Sequence, residues 1–170
     1  INGSGVNLKK YSFTKIPETP INFLVISRLL TEKGIREYAA AAKIVKEKFP
    51  DIKFNLVGSQ DESLDAIPLE EVLSWSDYIN YHGYICHIKE VIKSCHVFVL
   101  PSYHEGLPRC TLEAMSTGRP ILTTNAVGCR ETVSEGYNGF MVPVGSSKKL
   151  ASKMIWFIEN QEKIKIMGQN

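Results

Sequence analysis

Two glutamates, Glu105 and Glu113, have the residue type and the spacing that most directly suggest chemistry in this sequence, since seven residues separate them. Glu105 opens a turn that contains Gly106 and Pro108, and Glu113 follows on a predicted helix. A turn before a helix start favours a phosphate, because the first amides of a helix have no partner within it. Two carboxylates would repel a phosphate, so we expect them to face another group, and a sugar hydroxyl is one candidate.

A buried strand and a helix must hold this turn in place. Residues 96–100, HVFVL, are nearly all apolar, which is typical of a strand covered on both faces in a parallel sheet. Pro101 ends the strand, and residues 109–117 have the apolar spacing of a helix. In an open α/β sheet, ligands bind outside the carboxyl ends of the strands. The turn therefore lies where a ligand site is expected.

Two cations occupy a similar position earlier in the chain. Residues 22–27 predict a second buried strand, residues 35–49 predict an amphipathic helix, and Arg28 and Lys33 lie between them. With the strand expected at 53–57, this segment forms a βαβ unit. No GxGxxG follows the first strand and no GxxxxGK[ST] occurs in the chain, so neither a dinucleotide fingerprint nor a P-loop is supported. The two cations could bind an anion or serve only as surface charges.

The remaining segments continue the alternation of strands and helices. Helices are predicted at 68–75, 88–93 and 148–159, with a short one from Cys129, and strands at 78–81, 120–123 and 140–142. This alternation predicts a three-layer α/β/α, Rossmann-like sandwich with a mainly parallel, doubly wound sheet. Glu131 would then be a first-turn acid that the helix dipole favours.

Composition narrows the classes of protein that fit. The chain has 170 residues, of which 44% are hydrophobic and 22% charged, and its formal net charge is +2. These values predict one globular domain and do not support nucleic-acid or membrane binding through overall charge. No apolar run reaches the ~18 residues of a spanning helix, and the first residues lack the order of a signal peptide, so we expect a soluble protein.

The cysteines and histidines do not form a recognisable framework. Four cysteines stand at positions 86, 95, 110 and 129 without a CxxC pair. A chain of this size needs no disulfide to fold, so reduced thiols are expected. The spacing of the cysteines and nearby histidines fits no standard zinc finger or catalytic zinc site, and we predict no bound metal.

Several motifs, in the same order along the chain, resemble the retaining glycosyltransferases of family 4. The Glu-x7-Glu spacing of Glu105 and Glu113 matches the signature of that family, and EGLP, LEAM, GRPI, G-x-x-E and NG-F-x-V occur between residues 101 and 144. The segment from Arg28 to Gly34 resembles the family's G-R-L-x-x-x-K-G motif, although Ser27 stands where glycine is usual.

The resemblance implies a domain organisation. Residues 1–20 would be the remnant of an interdomain linker, because GVN at 5–7 and Phe13 resemble the connector through which family members enter their second domain. Residues 21–170 would be the nucleotide-sugar-binding domain, which is the carboxyl-terminal half of a GT-B fold. An amino-terminal acceptor domain would then be absent from this chain.

The resemblance also implies a reaction and a set of site residues. A hexose or N-acetylhexosamine would be transferred from a nucleoside diphosphate sugar, with UDP expected as the nucleotide, and with retention at the anomeric carbon. Cationic side chains and helix amides would stabilise the leaving diphosphate, so no metal and no cofactor are expected. The expected catalytic residues are Glu105, Arg28 and Lys33. The expected donor-binding residues are Arg28, Lys33, Tyr84, Ile85, Glu105, Gly106, Leu107, Pro108, Thr111, Leu112 and Glu113.

The individual roles follow from the same resemblance. Tyr84 and Ile85 would border the nucleobase, although packing within the fold is a simpler explanation for the aromatic ring. Glu113 would accept hydrogen bonds from the ribose, and Glu105 would face the donor sugar. Two alternatives involve no ligand: a solvated helix face for Glu113, and a capping box formed by Ser102 and Glu105, which the following turn disfavours.

Expected partners are the nucleotide-sugar donor, the absent amino-terminal domain and a glycan or lipid-linked acceptor, with no nucleic acid. We expect a role in bacterial polysaccharide or glycoconjugate biosynthesis in the cytoplasm, with peripheral association at the inner face of the membrane through the absent domain. Two other functions compete with this one: a nucleotide-sugar-binding module without catalysis, and a glycosidase, which also uses paired carboxylates. The phosphate-style loop and the helical position of Glu113 disfavour a glycosidase.

Overall fold

Six strands form one parallel sheet at the centre of the domain. The computed structural model describes residues 5–170. The strands are β1 (Asn22–Ile26), β2 (Lys53–Val57), β3 (Asn80–Tyr81), β4 (Val97–Leu100), β5 (Ile121–Thr124) and β6 (Gly139–Val142). Their order is β3-β2-β1-β4-β5-β6, and every neighbouring pair is parallel. The chain winds outward in both directions from β1 and β4, so the predicted doubly wound sheet is confirmed.

Within residues 5–170, six α-helices cover the two faces of the sheet. They are α1 (Ile35–Lys48), α2 (Leu69–Leu73), α3 (Ile88–Ser94), α4 (Arg109–Ser116), α5 (Ser147–Glu159) and α6 (Gln161–Gln169), with 3₁₀ turns at Thr31–Lys33 and Arg130–Thr132. Helix α1 packs against α5, and α3 contacts α4. In this part of the chain, no helix combines the length and apolar content needed to cross a membrane.

Each face of the sheet has its own apolar cluster. Phe23 and Val25 of β1 pack on the side of α1 and α5, whereas Leu24 packs on the side of α3 and α4. The rings of Phe23 and Phe54 stack with their centroids 5.3 Å apart, and the Tyr38 hydroxyl donates to the Phe23 carbonyl at 3.1 Å. Burial on both faces explains why the strands are continuous apolar runs in the sequence. The three-layer α/β/α sandwich is confirmed.

Some elements differ from their predicted extents. The helix expected at 68–75 is limited to Leu69–Leu73, the strand expected at 78–81 to Asn80–Tyr81, and the helix expected from Cys129 is a 3₁₀ turn. Helix α6 has no counterpart among the predicted helices, because its polar sequence contributes only two buried apolar side chains, Ile164 and Met167. None of these differences alters the order of the strands.

The segment before β1 packs onto the domain. Tyr11 is only 4% exposed, and the Thr14 N–H donates to the Thr117 carbonyl at 3.1 Å. A Cβ on Gly118 would lie 2.6 Å from the Phe13 ring, so this glycine lets the ring approach closely. Residues 1–4 of the expected linker lie outside the described residues.

Buried Arg119 joins that segment to two helices. It is 1% exposed, and no carboxylate among residues 5–170 pairs with it. Its guanidinium donates instead to the carbonyl oxygens of Thr14 at 2.8 Å, Thr117 at 2.9 Å and Lys93 at 2.7 Å. Burial lowers the pKa of this guanidinium. Arg119 therefore links the segment before β1 with the ends of α3 and α4.

Candidate functional site

The predicted site residues gather at the carboxyl edge of the sheet. Arg28 lies just after β1, Gly58 follows β2, Tyr84 comes soon after β3, and Glu105 follows β4. The winding direction of the sheet changes between β1 and β4, where an open α/β sheet leaves a crevice for ligands. Side chains that are far apart in the sequence are thereby brought to one edge.

Glu105 is held by two side chains from different elements. Its Oε1 accepts a hydrogen bond from the Ser102 hydroxyl at 2.7 Å and another from the Lys33 ammonium at 3.0 Å. The Lys33 ammonium also lies 3.3 Å from Oε1 of Glu32. Burial alone would lower the pKa of Lys33, but hydrogen bonds and charge from Glu105 and Glu32 outweigh it and raise that pKa. Both contacts use Oε1, and no hydrogen bond from residues 5–170 reaches the Oε2 atom of Glu105.

The chain around Glu105 is a loop held by close backbone contacts. Ser102 bonds to the carboxylate of Glu105 and α4 begins only at Arg109, so the capping-box alternative is wrong. The Glu105 N–H donates to the Val127 carbonyl at 3.0 Å. Gly128 has a φ of 81°, and a Cβ there would lie 2.1 Å from the Glu105 carbonyl oxygen. Glycine at 128 is therefore needed for the loop to occupy this position.

The two predicted cations pair with different carboxylates. Arg28 Nη1 lies 2.7 Å from Oδ2 of Asp61, in the loop after β2, whereas Lys33 pairs with Glu105. The Ser63 N–H donates to Asp61 at 3.0 Å, which fixes that carboxylate. The Lys33 side chain is only 15% exposed, so the surface-charge interpretation is wrong for it, whereas the Arg28 side chain is 60% exposed. Arg28 is thus an accessible cation whose side chain is oriented by its ion pair with Asp61.

Glu113 lies in a buried position on α4. It is 5% exposed, so the alternative of a solvated helix face is wrong. Nη2 of Arg109 lies 3.7 Å from its Oε1. Burial and, after it, the nearby charge of Glu113 raise the pKa of the Tyr11 hydroxyl. The Ser116 hydroxyl donates to the Tyr11 carbonyl, which ties the segment before β1 to α4.

Two adjoining hollows extend from Arg28 to Glu113. A groove of about 440 Å³ is lined by residues that include Tyr11, Tyr84, Ile85 and Glu113. A recess of about 190 Å³ shares Tyr84, Ile85 and Ile88 with it and reaches the ends of β1 and β2. Tyr84 is 73% exposed, so packing within the fold does not explain this ring. The groove and the recess form a surface that continues from the end of β1 to α4.

The start of α4 presents backbone amides to the same edge. Residues 106–108 lead into the helix, and no side chain among the described residues caps it. The Thr111 N–H donates to the Pro108 carbonyl at 3.1 Å, which leaves the amides of Arg109 and Cys110 at the start of the helix as donors for an anion. Leu107 and Leu112 are half-buried next to this turn. Thr111 is fully buried, and within residues 5–170 its hydroxyl has no hydrogen-bond partner.

The cysteines and histidines of the described residues form neither a disulfide nor a metal-binding cluster. Burial, followed by the charges of Glu105 and Glu113, raises the pKa of Cys110 to about 12, so its thiol stays neutral on the groove wall. The four cysteines are free. Across residues 5–170, no group of three or more His, Cys, Asp or Glu side chains is placed to hold a metal ion.

Three residues at this edge lie outside the predicted set: Tyr11, Ser102 and Asp61. Ser102 stands two residues beyond β4 and Asp61 lies in the polar loop after β2, so a search of strand ends for polar side chains could have found both. Tyr11 has no comparable local signal. It lines the same groove as Glu113, and this arrangement depends on the path of the segment before β1.

Comparison with known families and proteins gives concordant matches. The family model described as Glycosyl transferases group 1 matches residues 9–170. The N,N'-diacetylbacillosaminyl-diphospho-undecaprenol alpha-1,3-N-acetylgalactosaminyltransferase of Campylobacter jejuni is 34% identical over 176 residues. That alignment covers 95% of this chain but 45% of the relative, so the chain spans less than half the length of that protein.

Two solved structures have a similar fold. The C-terminal domain of the glycosyl transferase group 1 family protein LpcC from Francisella tularensis has a TM-score of 0.83 at 22% identity, over 98% of this chain and 94% of that one. HepE of Anabaena, in complex with UDP, has a TM-score of 0.83 at 22% identity, over 96% of this chain and 49% of that one. The Rossmann-like GT-B domain predicted from the sequence is confirmed.

Proposed function

Because the chain belongs to the glycosyl transferases group 1 family, we propose that it forms the donor-binding domain of a retaining, family 4 glycosyltransferase. The transferred group would be a hexose or an N-acetylhexosamine, carried by UDP. The observation that carries this proposal is the Glu105 carboxylate, which is fixed 3.0 Å from the Lys33 ammonium at the open edge of the sheet. A fixed carboxylate beside a cation suits a donor that bears both a sugar and a diphosphate.

The nucleoside half of the donor would occupy the groove and the recess. The nucleobase would lie beside Tyr84 and Ile85, and the ribose would donate hydrogen bonds to Glu113. The HepE structure, which has a similar fold, is a complex with UDP, and the Campylobacter relative is named as an N-acetylgalactosaminyltransferase. These two similarities support UDP as the nucleotide and a hexose or N-acetylhexosamine as the sugar.

The leaving diphosphate would be stabilised by fixed positive groups. Arg28, Lys33 and the first-turn amides of α4 would face the negative charge that develops as the bond to the sugar breaks. These groups supply the neutralisation for which other enzymes use a divalent cation, so we propose a reaction that is independent of metal. Oε2 of Glu105 would face the sugar and favour the positive charge that develops at the anomeric carbon.

The acceptor and a further domain are proposed from the relatives. The name of the Campylobacter relative contains a diphospho-undecaprenol-linked sugar, and this chain aligns with 45% of that protein. We propose that an amino-terminal domain binds a glycan or lipid-linked acceptor, closes the cleft and excludes water. The whole enzyme would act in polysaccharide or glycoconjugate biosynthesis at the cytoplasmic face of the membrane, with peripheral attachment. By itself, this chain would bind donor without turning it over.

Titration calorimetry of this chain with UDP, GDP and ADP tests the proposed ligand. We expect UDP to bind most tightly, and we expect EDTA to leave its affinity unchanged, because side-chain cations and helix amides already offset the diphosphate charge. A strict need for Mg²⁺ or Mn²⁺ would contradict metal independence. If the folded protein bound none of the three nucleotides, the proposed function itself would be wrong.

Removal of either site cation should weaken UDP binding. Arg28→Ala and Lys33→Ala are each expected to lose about 1.5–3 kcal/mol of binding free energy, the range for a hydrogen bond to a charged group. The melting temperature of the free protein should stay nearly unchanged. Lys148→Ala removes an exposed lysine of α5 and is the matched control, which should bind UDP normally. Normal binding by both site variants with lower melting temperatures would mean that these charges serve the fold.

A further inference from the structure

Ser27 combines a buried hydroxyl with a position at the end of β1. Its backbone N–H donates to the Val57 carbonyl at 3.0 Å, so the main chain is satisfied. Its side-chain oxygen is buried, and no group among residues 5–170 forms a hydrogen bond with it. A buried hydroxyl without a partner is unfavourable, because it has lost its bonds to water and gained none in return. A bound ligand that forms a hydrogen bond with the hydroxyl would explain why it has no partner in the free protein.

The backbone of Ser27 has little freedom to move. Gly58, at the end of β2, lies so close that a Cβ on it would be 1.7 Å from the Ser27 carbonyl oxygen. Parallel pairing of β1 with β2 continues up to Ile26 and Val57. The direction of the Ser27 side chain is therefore set by the sheet, which makes it a rigid part of any site that it lines.

Ser27 lines the recess of about 190 Å³ that also contains Tyr84 and Ile85. Much of the remaining wall is aliphatic, with Ile26 and Val57 among its members. Apolar walls beside an aromatic ring suit the flat, partly apolar nucleoside better than a phosphate. In the proposed function, the diphosphate would have its own partners in Lys33 and the start of α4. A hydroxyl in such a wall can both donate and accept one hydrogen bond, which is what a polar edge of a nucleoside requires.

We propose that Ser27 is a specificity-determining residue of the donor site and that its hydroxyl forms a hydrogen bond with the nucleoside moiety of the bound nucleoside diphosphate. This inference rests on the proposed function. Glycine, which is usual at this position in the motif that the sequence resembles, has no side chain with which to make the contact. The hydroxyl is left without a partner in the free protein and gains one when the ligand binds.

Ser27→Ala tests this inference through two measurements that should move in opposite directions. The variant loses a hydroxyl that has no partner in the free protein, so its melting temperature should be unchanged or higher. Its affinity for UDP and for UMP should fall by about three- to tenfold, as expected for one neutral hydrogen bond. Its affinity for inorganic pyrophosphate, which has no nucleoside, should not change. Titration calorimetry and thermal unfolding provide these values.

Ser74→Ala is the matched control, because the Ser74 hydroxyl donates to the Glu71 carbonyl at 2.6 Å at the exposed carboxyl end of α2. It should bind UDP like the wild type. A Ser27→Ala protein with a lower melting temperature and unchanged UDP affinity would overturn the inference, as would an equal loss of pyrophosphate affinity. In either case, UDP binding by the wild type would leave the proposed function standing. A folded wild-type protein that did not bind UDP would overturn the proposed function as well.

Discussion

Replacement of Glu105 by glutamine is expected to leave UDP binding nearly unchanged and to slow transfer by the full-length enzyme about 100- to 1,000-fold, as for loss of one preorganised electrostatic group. An amide oxygen can still accept the hydrogen bonds from Ser102 and Lys33, so the loop should keep its position. The negative charge that would oppose positive charge at the anomeric carbon is lost. The defect should therefore concern the sugar and the transition state, not the nucleotide.

Glu113→Gln is the matched control, since it makes the same exchange at the other carboxylate. Glu113 is proposed to accept hydrogen bonds from the ribose, so this variant should weaken UDP itself by about 1.5–3 kcal/mol. Titration of both variants with UDP and with the matching UDP-sugar separates the two roles. Equal losses for both ligands in both variants would show that the two glutamates have been assigned wrongly.

Arg119→Met is expected to lower the free energy of unfolding by about 2–6 kcal/mol, because two carbonyl oxygens lose their donor at about 1–3 kcal/mol each. Those oxygens belong to Thr14 and Lys93, to which the methionine cannot donate, whereas the Thr117 oxygen keeps the Thr14 N–H as a donor. The length and apolar character of the methionine retain part of the packing, so the loss should come mainly from the hydrogen bonds. Urea unfolding followed by circular dichroism measures the change.

Arg130→Met provides the reference for this prediction. The Arg130 side chain is 48% exposed, and its Nε lies 3.5 Å from Oε1 of Glu131 at the surface. An exposed pair of this kind contributes little, so the free energy of unfolding should change by no more than about 0.5 kcal/mol. If the two arginine variants unfolded at the same urea concentration, the network around Arg119 would not be stabilising the fold.

Elements with a strong apolar pattern could be predicted from the sequence, whereas the pairings at the site could not. The run HVFVL predicts β4, because burial on both faces excludes polar positions. Residues that follow the carboxyl ends of parallel strands lie at the same edge of the sheet, and this rule correctly predicts that Lys33 and Glu105 are close together. Their ion pair joins residues 72 positions apart, however, and depends on the alignment of β1 with β4. No local sequence pattern indicates how β1 and β4 are aligned in the sheet.

Helix α6 is a second feature that the sequence pattern alone could not predict. Most of its side chains are polar, and its two buried residues, Ile164 and Met167, belong to the same core cluster as α1 and α5. Contacts made only in the folded protein therefore stabilise this helix, while its own sequence has a weak apolar period. The pairing of Arg28 with Asp61 is likewise a product of the fold, because each residue alone resembles an ordinary surface charge.

The position of Tyr11 beside Glu113 limits where this domain can be joined to a different amino-terminal half. A chimera with its junction at residue 21, just before β1, would replace the groove wall that Lys10 and Tyr11 contribute. A junction placed ahead of Lys10 would retain Lys10 and Tyr11, and with them this wall of the groove, in the chimera. Nucleotide preference should then be inherited entirely from the carboxyl-terminal parent. With the junction at residue 21, nucleotide preference should vary with the residue that each amino-terminal parent places next to Glu113.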